Sequence, residues 1–384
     1  MIVIAPMELE PIHATCYIRR LDPTVIPHLM QEATKGGNPG DIFMRLFYIF
    51  ASYRQDESAL SMQSKALAIK KFYRLVAPNE VKIKLLALVA GGELMDNTPL
   101  DFLIENSDIQ LDFMYIDEYF EMPAKVPEHD ILFIAMGESV KNTPILNKLT
   151  QIISYWPKPL LNNPESILKC ARDTLFKLLK GANGIYIPST EKLNKLHIQF
   201  QGSPIAIRPQ GTHAGVGFKK ISSASQLDHY LSQYDQEQSF YVSEYVAYES
   251  PDGLFRKYRI VLIGGEPYIC HLAISENWIV HYIASGMELS ELKRNEERYE
   301  MFHFKDRFAK KHRNAFKQIH ERIGLDYVVI DCAELQTGEL LIFEADPGSW
   351  VHATDPVELF PYKSEVMQKA FEAFRNLLLG KAEL

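Results

Sequence analysis

Three acidic side chains near the end of the sequence have the types and spacing that cation chemistry would use. In "IFEADPGSW", residues 342–350, Glu344 and Asp346 stand two apart, so on a strand both carboxylates point to one face. The stretch "DCAELQTGELLIFEAD" reads as a β-hairpin with Thr337 and Gly338 at a two-residue turn. Gln336 then faces Glu339 and, counting outward, Asp331 falls opposite Glu344, at about 5 Å between side chains. Asp331, Glu344 and Asp346 thus converge on a face whose other positions, Val329, Ala333, Leu340 and Ile342, are apolar. A glycine bulge at the turn would shift the register by one and put Asp331 on the wrong face. Carboxylates crowded on such a surface repel and lose water, so they need a cation. An all-oxygen set suits magnesium, which completes its shell with waters and nucleotide phosphates. The alternative is a salt-bridged acidic cluster with Arg208 or Arg259.

A phosphate partner has candidate residues upstream. In "FRKYRIVLI", Lys257 and Arg259 share a strand face and Arg256 lies at the strand's entrance. A positive row on an otherwise apolar strand calls for an anion or an acidic neighbour. The segment "QGTHAGVGF" places Gly211, Gly215 and Gly217 where backbone amides can approach an anion closely. It lacks the GK[ST] ending of a P-loop and is flanked by strands, so it reads as a flap over phosphates; a solvated hairpin loop is the plainer alternative.

Positioning elements follow from periodicity. Residues 24–76 read as helical, with "DIFMRLFYIFASYRQ" and "ALSMQSKALAIKKFYRLV" apolar at three- and four-residue spacing, forming a cap or a dimer surface. From Val81 the strands "VKIKLLALVAGG", "IQLDFMYID" and "DILFIAMGES" alternate with short helices, which means a parallel sheet of βαβ units closed by "KPLLN". The glycines of "VAGGELMD" and "AMGESVKN" fall where strand ends meet ligands. From Pro164 onward "ESILKCARDTLFKLLKG" reads as one helix ended by Gly181, and "SASQLDHYLSQYD" as a helix capped by Ser223. The strand "QSFYVSEYVAY" and a hairpin turning at Gly264–Gly265 follow. A charged helix over 290–323 and a closing helix stopped by Gly380 complete the chain.

Composition narrows the classes. The chain has 384 residues, 47% hydrophobic and 23% charged, with net charge −8. That is the make-up of a globular protein of two or three domains, with no global field to attract nucleic acid or an anionic membrane. Cys16, Cys170, Cys270 and Cys332 form no CxxC pair, so they read as buried thiols in a reducing compartment. The start lacks a basic leader and no long apolar run exists, so the expectation is a cytoplasmic protein that neither binds nucleic acid nor enters a membrane.

The ordered set "ARDTLFKLLKGANGIYIPST", "SPIAIRPQGTHAGVGFKKI", "YVSEYV", "FRKYRIVLIGGEPY", "DYVVIDCAEL" and "LIFEADPGS" resembles the ATP-grasp superfamily over roughly residues 80–380. That superfamily includes glutathione synthetase, D-alanine–D-alanine ligase and the ribosomal-protein glutamate ligases. The resemblance implies a mixed α/β and α+β fold. It would comprise a helical segment (1–78), a Rossmann-like pre-grasp domain (79–163) and an ATP-grasp domain (164–384) hinged near 242–249. It further implies that Glu244 and Val246 bind adenine through the backbone and that Glu249 or Asp252 holds the ribose. Asp331, Glu344 and Asp346 would ligate magnesium, with Arg259, joined by Arg256 and Lys257, at the phosphates. Arg208 stands where the family usually has Lys, Thr174 where a further Lys is common (leaving Arg172 or Lys177 as substitutes), and Asp346 where Asn is usual. The implied activity is ATP- and magnesium-dependent ligation of a carboxylate, small or peptidic, to an amine through an acylphosphate. The departures instead favour a nucleotide-binding regulator or scaffold. His213, His271 and His281 are the candidate bases, and Ser349, Trp350 and His352 either line the acid's pocket or pack on the closing helix.

Overall fold

The computed structural model describes residues 2–9, 23–35, 38–212 and 215–383. Strand β1 (Val3–Ala5) precedes three helices, α1 (Ile26–Thr34), α2 (Pro39–Ser52) and α3 (Asp56–Ile69), and then β2 (Phe72–Leu75). Next come β3 (Ile83–Ala90), α4 (Leu100–Leu103), β4 (Ile109–Ile116), β5 (Lys125–Pro127), β6 (Ile131–Ile134), α5 (Thr143–Ile152) and β7 (Leu160–Leu161). Strands β3, β4 and β6 are almost unbroken apolar runs, as sequences buried on both faces must be. They run parallel in a sheet ordered β2-β4-β3-β6-β7, with β2 antiparallel at the edge, while β1 pairs with β5 apart from it. One face is covered by Ile145, Leu146 and Leu149 of α5. The other is covered by Leu46, Phe47 and Ile49 of α2 and Ala59 and Ala66 of α3. The apolar face of the N-terminal helices is therefore buried against the chain's own sheet.

The second half begins with α6 (Pro164–Leu168) and α7 (Arg172–Leu179). The single helix expected over this stretch is broken at Ala171, whose ψ of 131° is extended. Strands β8 (Ile185–Tyr186), β9 (Thr190–Asn194), β10 (Ile205–Pro209) and β11 (Lys219–Ile221) follow, then α8 (Ala224–Leu231) and β12 (Ser239–Glu244). The order β11-β10-β12-β9 makes an antiparallel sheet with a small core of its own, in which Leu227, Tyr230 and Leu231 of α8 pack on Ile207, Ile221 and Phe240.

Then come β13 (Phe255–Ile263), β14 (Glu266–Ser275), α9 (Glu291–His303), α10 (Arg313–Ile323), β15 (Tyr327–Glu334), β16 (Leu340–Asp346) and α11 (Pro361–Ala382). The charged helix is thus two helices joined through a wider turn at Lys305–Ala309, and α11 runs through Gly380 rather than stopping there. Strands β14-β13-β15-β16-β8 form the central sheet. Its two faces differ. Ile260, Leu262, Val328 and Ile330 pack in one core with Phe308, Phe316 and Ile319, whereas Val261, Ile263, Tyr327 and Val329 pack with α11. Phe374 of α11 sits between Phe133 of β6 and Tyr327 of β15, at 6.0 and 5.7 Å between ring centroids. The Asn162 side chain completes the join, accepting from Tyr327 N and donating to Tyr327 O. Of the four cysteines, Cys170, Cys270 and Cys332 are buried free thiols and Cys16 lies outside the described residues.

Candidate active site

The α11 face of the central sheet is apolar at one end and charged at the other. Along one line across the strands, His271 of β14 pairs with Arg259 of β13, Arg259 with Asp331 of β15, and Asp331 with Glu344 of β16. The expected opposition of Asp331 and Glu344 is present, but two offsets produce it. The turn holds three residues, not two: Leu335 N donates to Glu339 O, and Gly338 takes φ 88°. That shifts the register by one. A bulge at Phe343 shifts it back, since Cys332 pairs with Ile342 while Asp331 pairs with Glu344. One consequence departs from the sequence reading. Leu340 and Ile342 face the opposite core, and Leu341 joins Ala333 on the site's side.

The carboxylates do not gather around one point. Asp331 is 2% exposed and both its oxygens are taken: Oδ1 by Arg259 Nε at 2.8 Å, Oδ2 by Lys257 Nζ at 2.9 Å and an Arg259 amine at 3.0 Å. Burial alone would raise its proton affinity, but these cations outweigh it and hold Asp331 well below the usual carboxylate range. Glu344 accepts from Arg172, which also donates to Phe343 O at 3.1 Å. Against the opposing effect of burial, Arg172 keeps Glu344 lowered too. Asp346 lines the same cleft as Glu344 while accepting from Gly348 N at 2.8 Å and Ser349 Oγ at 3.3 Å. It lies so close to Gly137 that a Cβ there would be 3.1 Å from Asp346 Oδ1. Among the described residues no group of three or more His, Cys, Asp or Glu side chains is placed to hold a metal. The donor set therefore does not fit magnesium as arranged, because Asp331 is closed by Lys257 and Arg259 and one Glu344 oxygen is taken by Arg172.

The cationic side of the site is richer than the sequence reading allowed. Arg172 begins α7 directly after the break at Ala171, which aims its guanidinium across the end of β16. Lys177, the other candidate for this role, is exposed and pairs with Asp173. Arg208 ends β10 and donates to the Thr212 carbonyl, fixing the root of the glycine loop. Burial, and next the Arg172 charge, lower Arg208 to about 10. Arg172 lines the neighbouring cleft, while Arg208 reaches it only through the loop it anchors at Thr212.

The cleft lies between the glycine loop (Gln210, Gly211, Thr212), Tyr241 of β12, Arg172, Glu344 and the Glu138–Val140 segment after β6. That segment leaves the carboxyl end of β6 beside β3, where strand order reverses and open α/β sheets take ligands. Glu138 was not singled out from the sequence, although the glycine before it was. Burial first and the Asp346 charge second push its carboxyl up to about 7. The other glycine turn is filled from within, Gly92 exchanging bonds with the Gln63 side chain of α3.

The remaining candidates divide. Gly211 takes φ 82° in open space, as a residue meeting a ligand can, and a Cβ at Gly215, φ 77°, would lie 3.7 Å from Ile279. Gly217 serves the loop itself: a Cβ there would strike Pro209 at 2.7 Å and Tyr234 at 2.9 Å. His213 lies outside the described residues. Arg256 is on the opposite face of β13, paired with Asp252 and with Glu296 of α9, so neither Arg256 nor Asp252 is brought to the cleft. Alternation along the strand separates Arg256 from Lys257 and Arg259. Glu244 accepts from Tyr186 and Ser189 side chains, and its N–H donates to Ser189 O, so that amide is not open to adenine. Val246 is half-buried near Tyr248 and Phe255, while Glu249 is exposed, its carbonyl bonded by Gln336. Burial keeps His271 and His281 below the usual histidine range, hence neutral. Trp350 and His352 pack on Phe102 of α4, and Ser349 is buried against Asp346.

No family model matches the sequence, and no curated protein matches it. Similar solved structures include a RimK-domain ATP-grasp protein from Sphaerobacter thermophilus, at 14% identity and TM-score 0.44 over 77% of this chain and 99% of that one. The D-alanine–D-alanine ligase of Bacillus anthracis matches at 12% identity and TM-score 0.46, over 78% and 97%. The VanG D-Ala:D-Ser ligase of Enterococcus faecalis matches at 12% and 0.47, over 79% and 100%. Independently of these, the antiparallel sheet β11-β10-β12-β9, the central sheet with its charged row and the mostly parallel sheet β2-β4-β3-β6-β7 make the mixed α/β and α+β fold that the sequence leads one to expect.

Proposed function

We propose that the cleft binds the polyphosphate of ATP and that the chain uses it to join a carboxylate to an amine. The observation that carries this is the cleft in which Arg172 faces the glycine loop Gln210–Thr212, whose root Arg208 holds. In this reading residues 164–384 grip the nucleotide with a hinge near 242–249, residues 79–163 supply the opposite wall, and residues 1–78 cover that wall. A substrate carboxylate oxygen attacks the γ-phosphorus as its bond to ADP breaks, giving an acylphosphate. The amine nitrogen then attacks the acyl carbon, phosphate leaves, and Glu138 takes the amine proton. A carboxyl held near 7 suits that last role. Arg172 and Arg208 offset charge on the transferring group while the loop from Gln210 excludes water. No step is assigned to magnesium, since Asp331, Glu344 and Asp346 are engaged elsewhere.

A second reading, nucleotide binding without turnover, is favoured by that same engagement of the carboxylates. Incubation with ATP, pooled acids and hydroxylamine separates the two. Ligation gives a hydroxamate with ADP and phosphate in equal amounts. Nucleotide binding without any ADP release favours the regulator, and AMP with pyrophosphate contradicts the acylphosphate route.

A further inference from the structure

The carboxylates Asp331 and Glu344 beside the cleft are already paired with cations of the chain, and this bears on what the nucleotide of the ATP reading above, on which the inference rests, would need. Lys257 precedes Arg259 by two residues on β13 and so shares its face. Its ammonium lies 2.9 Å from Asp331 Oδ2, and Asp331 stands directly opposite Glu344. A divalent ion bridging this cross-strand pair would have to sit where the ammonium is. Arg172 takes the Oε2 of Glu344 and is fixed there by its second bond, to the carbonyl of the bulged Phe343. For a metal to enter at Asp331, Lys257 and Arg259 would have to release a carboxylate that is 2% exposed. Two largely buried cations would then lose their counter-ion beside a doubly charged newcomer.

We propose that Lys257 and Arg172 stand in for magnesium at the Asp331–Glu344 pair. Arg172, Arg208, Lys257 and Arg259 then hold the polyphosphate of a nucleotide without a divalent cation there. The fixed cations sit on strands and a helix start already ordered by the core, so the site is complete before ligand arrives.

The test is the ATP-induced melting shift of the full chain, in excess EDTA and in magnesium, together with manganese titration of the ligand-free protein followed by electron paramagnetic resonance. Expected is an apparent ATP affinity that changes by less than about threefold between the two buffers. The wild type should leave manganese free, whereas Lys257→Ala, which leaves Asp331 Oδ2 with the Arg259 amine alone, should take it up. An ATP shift confined to the magnesium buffer, or manganese uptake by the wild type, overturns the proposal. Lys257→Ala that folds but gains no manganese overturns the role given to Lys257. An ATP shift in neither buffer overturns the nucleotide reading itself, a failure distinguishable from the others. Should the variant not fold, the wild-type comparisons decide alone.

Discussion

At the scale of residues, Glu138 gives the clearest pH signature. Its carboxyl holds a proton up to about 7 in the folded chain against an ordinary value of 4.5. Folding therefore disfavours its ionisation, so the stabilising contribution is complete below 4.5 and is lost as pH rises through about 7. Glu138→Gln, which mimics the protonated form, should unfold less readily than wild type at pH 8 by about 1–2 kcal/mol after allowance for its partial exposure. The difference should shrink toward pH 4. Denaturant melts at both pH values check this, and equal stability at pH 8 would remove Glu138 from the list of shifted groups. Residue-level inference from sequence was uneven here for a physical reason. Asp331 and Glu344 pair as strand counting expects, yet only because a three-residue turn and the Phe343 bulge cancel. Counting recovers such a row without seeing what occupies it, since the partners Lys257 and Arg172 come from 74 and 172 residues away.

At the scale of elements, the glycine loop is partly a flap and partly a folding constraint. A Cβ at Gly217, φ 68°, would strike the Pro209 ring and the Tyr234 hydroxyl, whereas one at Gly211, φ 82°, would meet nothing within 4 Å. Gly211→Ala should therefore cost only the left-handed backbone term, about 1–2 kcal/mol. Gly217→Ala adds a collision with a rigid ring and should cost about 1–3 kcal/mol more. Urea unfolding without nucleotide distinguishes them, and equal losses would mean that the loop has another conformation. The strands and their glycine turns were legible because burial on both faces leaves unbroken apolar runs. The break that places Arg172 was not, because "LKCARDTLF" carries no glycine or proline to mark it. Nor was the continuation of α11 through Gly380, whose position meets nothing within 4 Å and so tolerates the helix.

At the scale of the whole molecule, three sheets meet at one cleft because single elements bridge them. Phe374 of α11 and Asn162 join the Rossmann-like and central sheets, and Arg172 lies between the central sheet and the glycine loop. The N-terminal helices belong to this assembly. Met44, Leu46, Phe47 and Ile49 are fully buried, and at about 1.5–3 kcal/mol each their burial rivals the total stability of a domain. Their amphipathic periodicity was readable; that the partner is the chain's own sheet was not, because periodicity gives a buried face without naming what covers it. Among the described residues no helix is long and apolar enough to cross a membrane. The central claim is that nucleotide phosphates bind where the loop from Gln210, Arg172 and the Glu138 segment converge. Hydrogen–deuterium exchange of the full chain with and without ATP tests it most directly. ATP should slow exchange in the peptides carrying Gln210–Thr212, Glu138–Lys141 and Phe343–Asp346 together. ATP binding that leaves all of them unchanged while protecting a different surface would contradict it.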